Sequence, residues 1–188
     1  MDPCHREGSE LPVHCSVQLL EPGLCTGNDD EGKGYPDIAT RAMLHFMSTP
    51  SPRNGFASPP VYCLVDCDPD GLAIMSTYKN GSAALAHENE ELRLPHLKWL
   101  GLRCESLITL DDDVHSSQGL LELTARDRRK AIAMLERSDE VSVDAHESEV
   151  RRALQTMLML NTKAELQLLD ATPAGMKDLL TAAVAHLA

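Results

Sequence analysis

The chain has 188 residues and a formal net charge of −12, from 29 acidic and 17 basic residues. A chain of this length suits one globular domain with a tail and excludes a large multidomain machine. The negative charge repels phosphate, so a nucleic-acid role requires a local site or a partner instead of a basic surface. Aromatic residues account for only 3% of the chain, which argues against a stacking platform for unpaired bases.

The sequence also indicates the compartment. Charged residues precede any apolar run at the N-terminus, which is not the order of a signal peptide, and no apolar run approaches the roughly 20 residues that span a bilayer. The six cysteines form no C-x-x-C pair and show no zinc-ligand spacing. We therefore predict reduced thiols, no membrane association, and a location in the nucleus or cytosol.

Charge and periodicity divide the chain. Residues 1–31 contain seven acidic residues and one basic residue, with no sustained period, and predict an acidic, mostly disordered or atypical segment with a short strand over 13–20. Residues 32–188 predict the folded domain. Within it, residues 32–110 carry a net charge of only −1 and residues 111–188 carry −5. The middle of the chain is therefore the permissive place for phosphate.

The middle of the chain predicts a helix, a strand and a second helix. Residues 61–65 form a short apolar run that is typical of a strand buried on both faces. The run ends in an acidic turn at residues 66–71, after which helical spacing resumes. A helix of about three turns precedes the strand, because apolar residues recur at helical spacing behind a glycine turn: Ile38, Ala42, Met43 and Phe46.

The rest of the chain predicts one more strand, over residues 97–101, and then helices. Thr124 and Asp127 have the spacing of a capping box that begins a helix. The predicted architecture is α/β with a helical C-terminal half. The predicted apolar stripes of its three helices are Ala131, Ile132 and Leu135; Val150, Ala153, Leu154, Met157 and Leu158; and Met176, Leu179, Leu180, Ala183, Val184 and Leu187.

The acidic turn contains the strongest candidate site. Asp66 and Asp68 lie two positions apart at the carboxyl end of a strand, so both project toward the crevice where open α/β sheets bind ligands. A divalent cation would relieve their repulsion, and hard oxygen ligands suit Mg²⁺. An ordinary turn with a helix N-cap has the same residue types, and a phosphatase with a nucleophilic first aspartate fits the position equally well. An EF-hand is excluded, because Thr77 occupies the position of the bidentate glutamate.

A glycine turn at residues 32–37 is the second candidate site. Its glycines let backbone amides approach an anion, Lys33 supplies a positive charge, and Arg41 follows on the next helix. The glycine spacing is not that of a Walker A loop. Taken alone, the pattern is also typical of a solvated turn.

The order of four motifs is more specific than any one of them. G-K-G-Y-P-D-x-x-T-R is followed by V-D-x-D-P-x-G-x-x-I-M, then Y-K-x-G-S, then K-W-L-G-L. This order resembles the A-type chain of topoisomerase VI and its eukaryotic relative, the meiotic protein that makes double-strand breaks. The resemblance covers about residues 32 to 170, and residues 163–166, K-A-E-L, resemble the family's late helix.

The resemblance implies a Toprim domain, a parallel sheet with helices, in which an upstream glutamate and the D-x-D pair hold Mg²⁺ at a DNA phosphate. By residue matching, Asp66 and Asp68 are the metal ligands, and Lys33 and Arg41 are candidates for contacting DNA. The family reaction is transesterification by a tyrosine, which leaves a 5′-phosphotyrosyl link. The implied partners are double-stranded DNA, a second copy of the chain and a topoisomerase VI B-like protein, in the nucleus.

The chain departs from the family pattern in two ways. The winged-helix domain that carries the attacking tyrosine does not precede the glycine turn, and none of Tyr35, Tyr62 and Tyr78 has an adjacent aromatic partner, so we identify no catalytic residue. The upstream glutamate has no clear counterpart, with Glu7, Glu10 and Glu21 as candidates by distance. We expect a truncated product or an incomplete gene model that is inactive alone.

Two alternative functions stay open at this point. One is a stand-alone Toprim or phosphatase-like phosphotransferase that uses Asp66 and Asp68 for hydrolysis. The other is a non-catalytic remnant that binds partner proteins. The basic residues at 126–130 predict a solvated face, since the dipole at a helix start disfavours cations.

Overall fold

The computed structural model describes residues 15–19, 30–31, 35–52, 55–56, 58–81, 92–103, 119–138, 145–169, 175–177 and 181. In the first half of this part of the chain, two strands are followed by helices that alternate with strands. Their bounds are β1 Cys15–Leu19, β2 Asp30–Glu31, α1 Ile38–Ser48, β3 Val61–Val65, α2 Pro69–Asn80 and β4 Lys98–Leu100. The second half contains β5 Leu120–Glu122, α3 Ala125–Ser138, α4 Ala145–Leu160, β6 Thr162–Ala164 and a 3-10 helix Leu166–Leu169.

The main sheet has the strand order β2-β1-β3-β4. β3 and β4 pair in parallel, as predicted, whereas β1 pairs antiparallel with both β3 and β2. β1 confirms the predicted strand over 13–20 and lies inside the segment 1–31. β5 and β6 form a second, antiparallel ladder. The predicted α/β architecture with a helical C-terminal half is confirmed.

β3 lies at the centre of the core, and all five of its residues are buried. Val61, Cys63 and Val65 face the larger apolar cluster, which includes residues of α2, α3 and α4. Tyr62 and Leu64 face a smaller cluster on the other side of the sheet, together with Leu100. A strand covered on both faces needs apolar residues at every position, which explains the continuous apolar run.

The buried faces of two helices differ from the prediction. In α1 the buried residues are Arg41 and Leu44, whereas Ile38 and Phe46 are 46% and 52% exposed. The prediction was wrong here because apolar periodicity assigned the inward face to the apolar side chains, and this helix buries an arginine instead. In α3, Ala131 is buried as predicted but Ile132 is exposed.

The other helix predictions have mixed outcomes. The α4 stripe is confirmed, since Val150, Ala153, Leu154 and Met157 are all buried. The predicted helix over 176–187 lies mostly outside the described residues. The predicted late helix at residues 163–166 is wrong, because Thr162–Ala164 is strand β6 and only Leu166 begins a 3-10 helix. Backbone pairing with two neighbours overrides the helix propensity of this segment.

The cysteines also differ from the prediction. Cys63 is a buried cysteine thiol, but Cys67 is disulfide-bonded, so the prediction of reduced thiols is wrong at Cys67. Sequence spacing could not show this, because it gives no information on pairs that the fold brings together. Among the described helices, none combines the length and the hydropathy that crossing a membrane requires.

Candidate metal centre

The acidic turn follows β3 directly and leads into α2. Asp66 is 7% exposed, and its Oδ1 accepts a hydrogen bond from the backbone N–H of Leu166 at 2.8 Å. Asp68 is the N-cap of α2, and its Oδ1 accepts a hydrogen bond from the Gly71 N–H at 2.6 Å. A Cβ on Gly71 would lie 2.6 Å from the backbone oxygen of Asp66. Only glycine therefore fits at this point of the turn.

Strand β6 lies against the acidic turn and forms one side of the site. Cys67 and Ala164 exchange two backbone hydrogen bonds, of 2.8 Å and 3.1 Å, in an antiparallel bridge. Both residues are fully buried. In this register Lys163 stands opposite Asp68, on the face away from the Cys67 and Ala164 side chains. A segment about 100 residues further along the chain therefore lies beside the acidic turn.

The start of α3 forms another side of the site. Asp127 accepts a hydrogen bond from the Thr124 N–H at 2.9 Å, and Thr124 Oγ1 accepts one from the Asp127 N–H at 3.2 Å. These two bonds confirm the predicted capping box. Asp127 is 5% exposed, and its Oδ2 lies 3.0 Å from Lys163 Nζ. The sequence predicted Asp127 only as a capping residue, and the capping box was the one signal that marked it.

Lys130 connects the glycine turn with the acidic turn. Its ammonium group forms an ion pair with Asp70 of α2 and donates a hydrogen bond to the Tyr35 hydroxyl at 2.9 Å. It also lies 5.3 Å from the centre of the Tyr35 ring. The prediction of a solvated face holds for the exposed Arg128 and Arg129 but is wrong for Lys130. The dipole argument considered only the residue's own helix, whereas Lys130 is held by a carboxylate of another helix.

The charges of this region shift three pKa values. Burial raises the pKa of Asp68, and the negative charges of Asp70 and Asp127 raise it further, against the opposing effects of the Gly71 N–H and the Lys163 charge. Burial alone would raise the pKa of Asp127, but hydrogen bonds from Thr124 and Lys163 outweigh it and hold that pKa below its usual value.

The third pKa is that of Lys130. Burial alone would lower this pKa, but the hydrogen bonds to Asp70 and Tyr35 outweigh it and raise the pKa. Two ion pairs therefore lie beside Asp66 and Asp68: Asp127 pairs with Lys163, and Asp70 with Lys130. Within the part of the chain that the structure describes, Asp68 has no ion-pair partner of its own.

Asp68 fits a divalent cation, with Asp66 as its neighbour in the turn. Mg²⁺ keeps several waters and is usually held by one or two carboxylates together with phosphate oxygens. The described residues contain no group of three His, Cys, Asp or Glu side chains that could form a complete cage for a metal. A carboxylate whose pKa is raised by burial and like charges gains stability when a cation arrives. The carboxylates that the structure describes here therefore fit a hydrated hard cation.

The structure places the other predicted site residues differently. Arg41 is only 1% exposed, so its placement in α1 does not support a direct contact with DNA. Lys33 lies outside the described residues, as do Glu7, Glu10 and Glu21, the candidates for the upstream glutamate.

The three tyrosines have separate surroundings. Tyr62 and Tyr78 are 4% and 2% exposed and belong to the core, and burial raises the pKa of Tyr62. Tyr35 is 59% exposed and contacts Lys130. Two of the described tyrosines are therefore packed in the core, and the third is connected to Asp70 of the acidic turn through Lys130.

A buried strand that ends in two aspartates and leads into a helix, with helical segments on both faces of the sheet, defines an α/β domain with an acidic ligand-binding edge. The family model of the Toprim domain of topoisomerase 6A and Spo11 matches residues 31–179. The chain therefore belongs to the topoisomerase 6A/Spo11 family and contains its Toprim domain, which confirms the resemblance of the motifs. Toprim domains typically bind Mg²⁺.

Relatives carry the names of meiotic proteins and of a topoisomerase component. The chain is 38% identical to meiotic recombination protein SPO11-1 of Arabidopsis thaliana over 141 residues, 74% of this chain and 35% of the relative. It is 33% identical to meiotic recombination protein W68 of Drosophila melanogaster, over 72% of this chain and 36% of the relative. It is 36% identical to the A3 component of DNA topoisomerase 6 of Oryza sativa subsp. indica, over 73% of this chain and 28% of the relative. The chain spans about a third of the length of these curated relatives.

Proposed function

We propose that this chain is the Mg²⁺-binding Toprim part of a protein that makes DNA double-strand breaks and thereby initiates meiotic recombination in the nucleus. In this proposal residues 32–188 form the Toprim domain, and β1 and β2 of the preceding segment extend its main sheet. The observation that carries the proposal is the surroundings of Asp68: the neighbouring Asp70 and Asp127 are each paired with a lysine, whereas Asp68 has no ion pair within the described residues. The family match and the names of the relatives supply the biological context.

Asp68 and Asp66 are the proposed metal ligands. A bound Mg²⁺ supplies charge neutralisation at a phosphodiester. The chain itself contributes position, because Gly71 orients the Asp68 carboxylate and Leu166 holds Asp66. Lys163 and Lys130 cancel the charges of Asp127 and Asp70, so less negative charge opposes the approach of a DNA phosphate.

The proposed reaction is transesterification by a tyrosine of another domain, with a 5′-phosphotyrosyl link as product. The burial of Tyr62 and Tyr78 and the contact of Tyr35 with Lys130 support an origin outside this chain. The proposed partners are double-stranded DNA, a second copy of the chain and a topoisomerase VI B-like protein. Lys33 stays the proposed DNA contact, whereas the burial of Arg41 favours a supporting role.

The phosphatase-like alternative has less support. A nucleophilic aspartate must reach its substrate, but Asp66 is 7% exposed and its Oδ1 is engaged by the Leu166 N–H. Metal-dependent hydrolysis of a simple phosphate ester by this chain alone, abolished in Asp66→Asn, would overturn our preference. No feature of the described residues identifies a protein partner for the remnant alternative.

The proposal is tested by Mn²⁺ binding to the full chain, followed through the electron paramagnetic resonance of free Mn²⁺. We expect Asp68→Asn to weaken binding by at least about tenfold, because a neutral amide replaces the carboxylate. The matched control is Asp37→Asn, since Asp37 caps α1 as Asp68 caps α2. Asparagine caps helices nearly as well as aspartate, so both variants keep their helix starts. Equal Mn²⁺ affinity of the two variants would contradict the metal assignment.

A further inference from the structure

Lys163 lies beside the acidic turn without touching its proposed ligands. The Cys67–Ala164 bridge places it opposite Asp68, and its side chain is only 17% exposed. Its Nζ is held 3.0 Å from Asp127 Oδ2. Asp127 in turn is fixed at the start of α3 by the capping box with Thr124. The position of this positive charge is therefore set by the fold and not by a mobile side chain.

The segment that carries Lys163 also reaches the other aspartate of the turn. Three residues after Lys163, the Leu166 N–H donates to Asp66. One short stretch of chain thus supplies a cation near Asp68 and a hydrogen-bond donor to Asp66. Because the Lys163 charge is close enough to act on Asp68, it also acts on any cation that Asp68 binds.

From this geometry we infer that Lys163 sets, through its positive charge, the affinity of the acidic turn for its divalent cation. The ammonium group repels the incoming metal and so weakens metal binding. At the same time it neutralises Asp127, so that the metal-free site does not carry the Asp127 charge in addition to that of Asp68. The inference rests on the proposed function, since it assumes that Asp68 is a metal ligand.

The inference predicts a change in metal affinity on removal of Lys163 that is opposite to the change expected from a purely structural role. If Lys163 acted only by holding β6 against α3, its removal would loosen the site and weaken metal binding. If Lys163 acts by charge, its removal must tighten metal binding. We therefore expect Lys163→Met to bind Mn²⁺ about three- to tenfold more tightly than the wild-type chain at low ionic strength.

A charge series makes the test sharper. Asp127→Asn removes one negative charge and keeps a capping side chain, so we expect Mn²⁺ binding about three- to tenfold weaker. The double variant Lys163→Met with Asp127→Asn restores the wild-type net charge and should bind within about twofold of the wild type. Lys163→Arg keeps the charge and should also stay within about twofold. The matched control is Lys98→Met, an exposed lysine at the start of β4.

Each outcome of the series supports or overturns the inference. Mn²⁺ affinities that follow net charge support it, in the order Lys163→Met, wild type and double variant, Asp127→Asn. Weaker binding in all three variants, or unchanged binding in Lys163→Met, overturns it while the metal assignment stands. If the wild type and Lys98→Met bind no Mn²⁺, the metal assignment itself fails and the inference falls with it. Circular dichroism checks folding, and if Lys163→Met does not fold, the double variant decides: affinity near the wild type supports the inference, and affinity as weak as that of Asp127→Asn overturns it.

Discussion

Two helices of this molecule begin with the same residue in the same role but in different surroundings. Asp37 caps α1 through the Thr40 N–H at 2.7 Å, and Asp68 caps α2 through the Gly71 N–H at 2.6 Å. Asp37 is exposed, and the hydrogen bonds from Thr40 lower its pKa. Asp68 is partly buried, and its burial raises the pKa despite the same kind of hydrogen bond. Capping and cation binding are therefore not competing interpretations of one aspartate, because the surroundings decide whether a cap can also serve as a ligand.

The difference between Asp68 and Asp37 should have its largest effect on DNA cleavage. In a protein that joins this chain to a tyrosine-bearing domain of a relative, Asp68→Asn should lower Mg²⁺-dependent cleavage by more than about 100-fold, because metal charge compensation is worth several kcal/mol. Asp37→Asn should leave cleavage within about twofold, since Asp37 is an exposed cap outside the acidic turn. Cleavage is measured by the covalent protein–DNA product on denaturing gels. A similar loss in both variants would remove the distinction between the caps.

A second comparison concerns the residues three positions after each cap, Thr40 in α1 and Gly71 in α2. Gly71→Ala places a methyl group against the Asp66 backbone oxygen and should lower the free energy of unfolding by about 2 kcal/mol. Thr40→Ala leaves the backbone N–H that Asp37 accepts from in place and should cost less than about 0.5 kcal/mol. Urea denaturation of both variants measures the difference. An equal loss of unfolding free energy in the two variants would show that the acidic turn is packed no more closely than the start of α1.

The smallest expected effect is on the pH dependence of the free energy of unfolding. The contributions of Asp68 and Asp37 to this pH dependence have opposite signs. The pKa of Asp68 is raised above 3.8 in the folded chain, so wild-type stability relative to Asp68→Asn should fall as the pH rises from 3.8 through the folded pKa. The pKa of Asp37 is lowered, so its stabilising contribution is complete above 3.8 and is lost as the pH falls through the folded pKa. Urea denaturation between about pH 3 and pH 7 in the presence of a chelator measures both trends. The same sign in the two variants would contradict these pKa directions.

Much of the scaffold could be predicted from local patterns in the sequence. The apolar run before Asp66 predicts β3, the D-x-D-P-D-G turn predicts the start of α2, and the spacing of Thr124 and Asp127 predicts the start of α3. Each of these features depends on residues within a few positions of one another. The order of the motifs then identifies the family, which no single motif does.

The walls of the site could not be predicted, because they depend on contacts between distant segments. Lys163 belongs to a segment of good helix formers, and only the pairing of this segment with β5 and with Cys67 makes it a strand beside the acidic turn. Lys130 belongs to a basic run that is typical of a solvated face, and only the fold brings Asp70 to it. The inward face of α1 was missed because it contains Arg41, which a search for apolar residues assigns to solvent.

The hydrogen bond between Asp66 and Leu166 joins residues 100 positions apart. Closing so long a loop carries an entropic cost that must be met before the contact forms, so contacts of this kind tend to form late in folding. During synthesis, β3 and α2 leave the ribosome well before Leu166 does. A nascent chain therefore presents both aspartates before it has the strand that encloses them. The geometry of the acidic edge is completed only when the ribosome has made Leu166 as well.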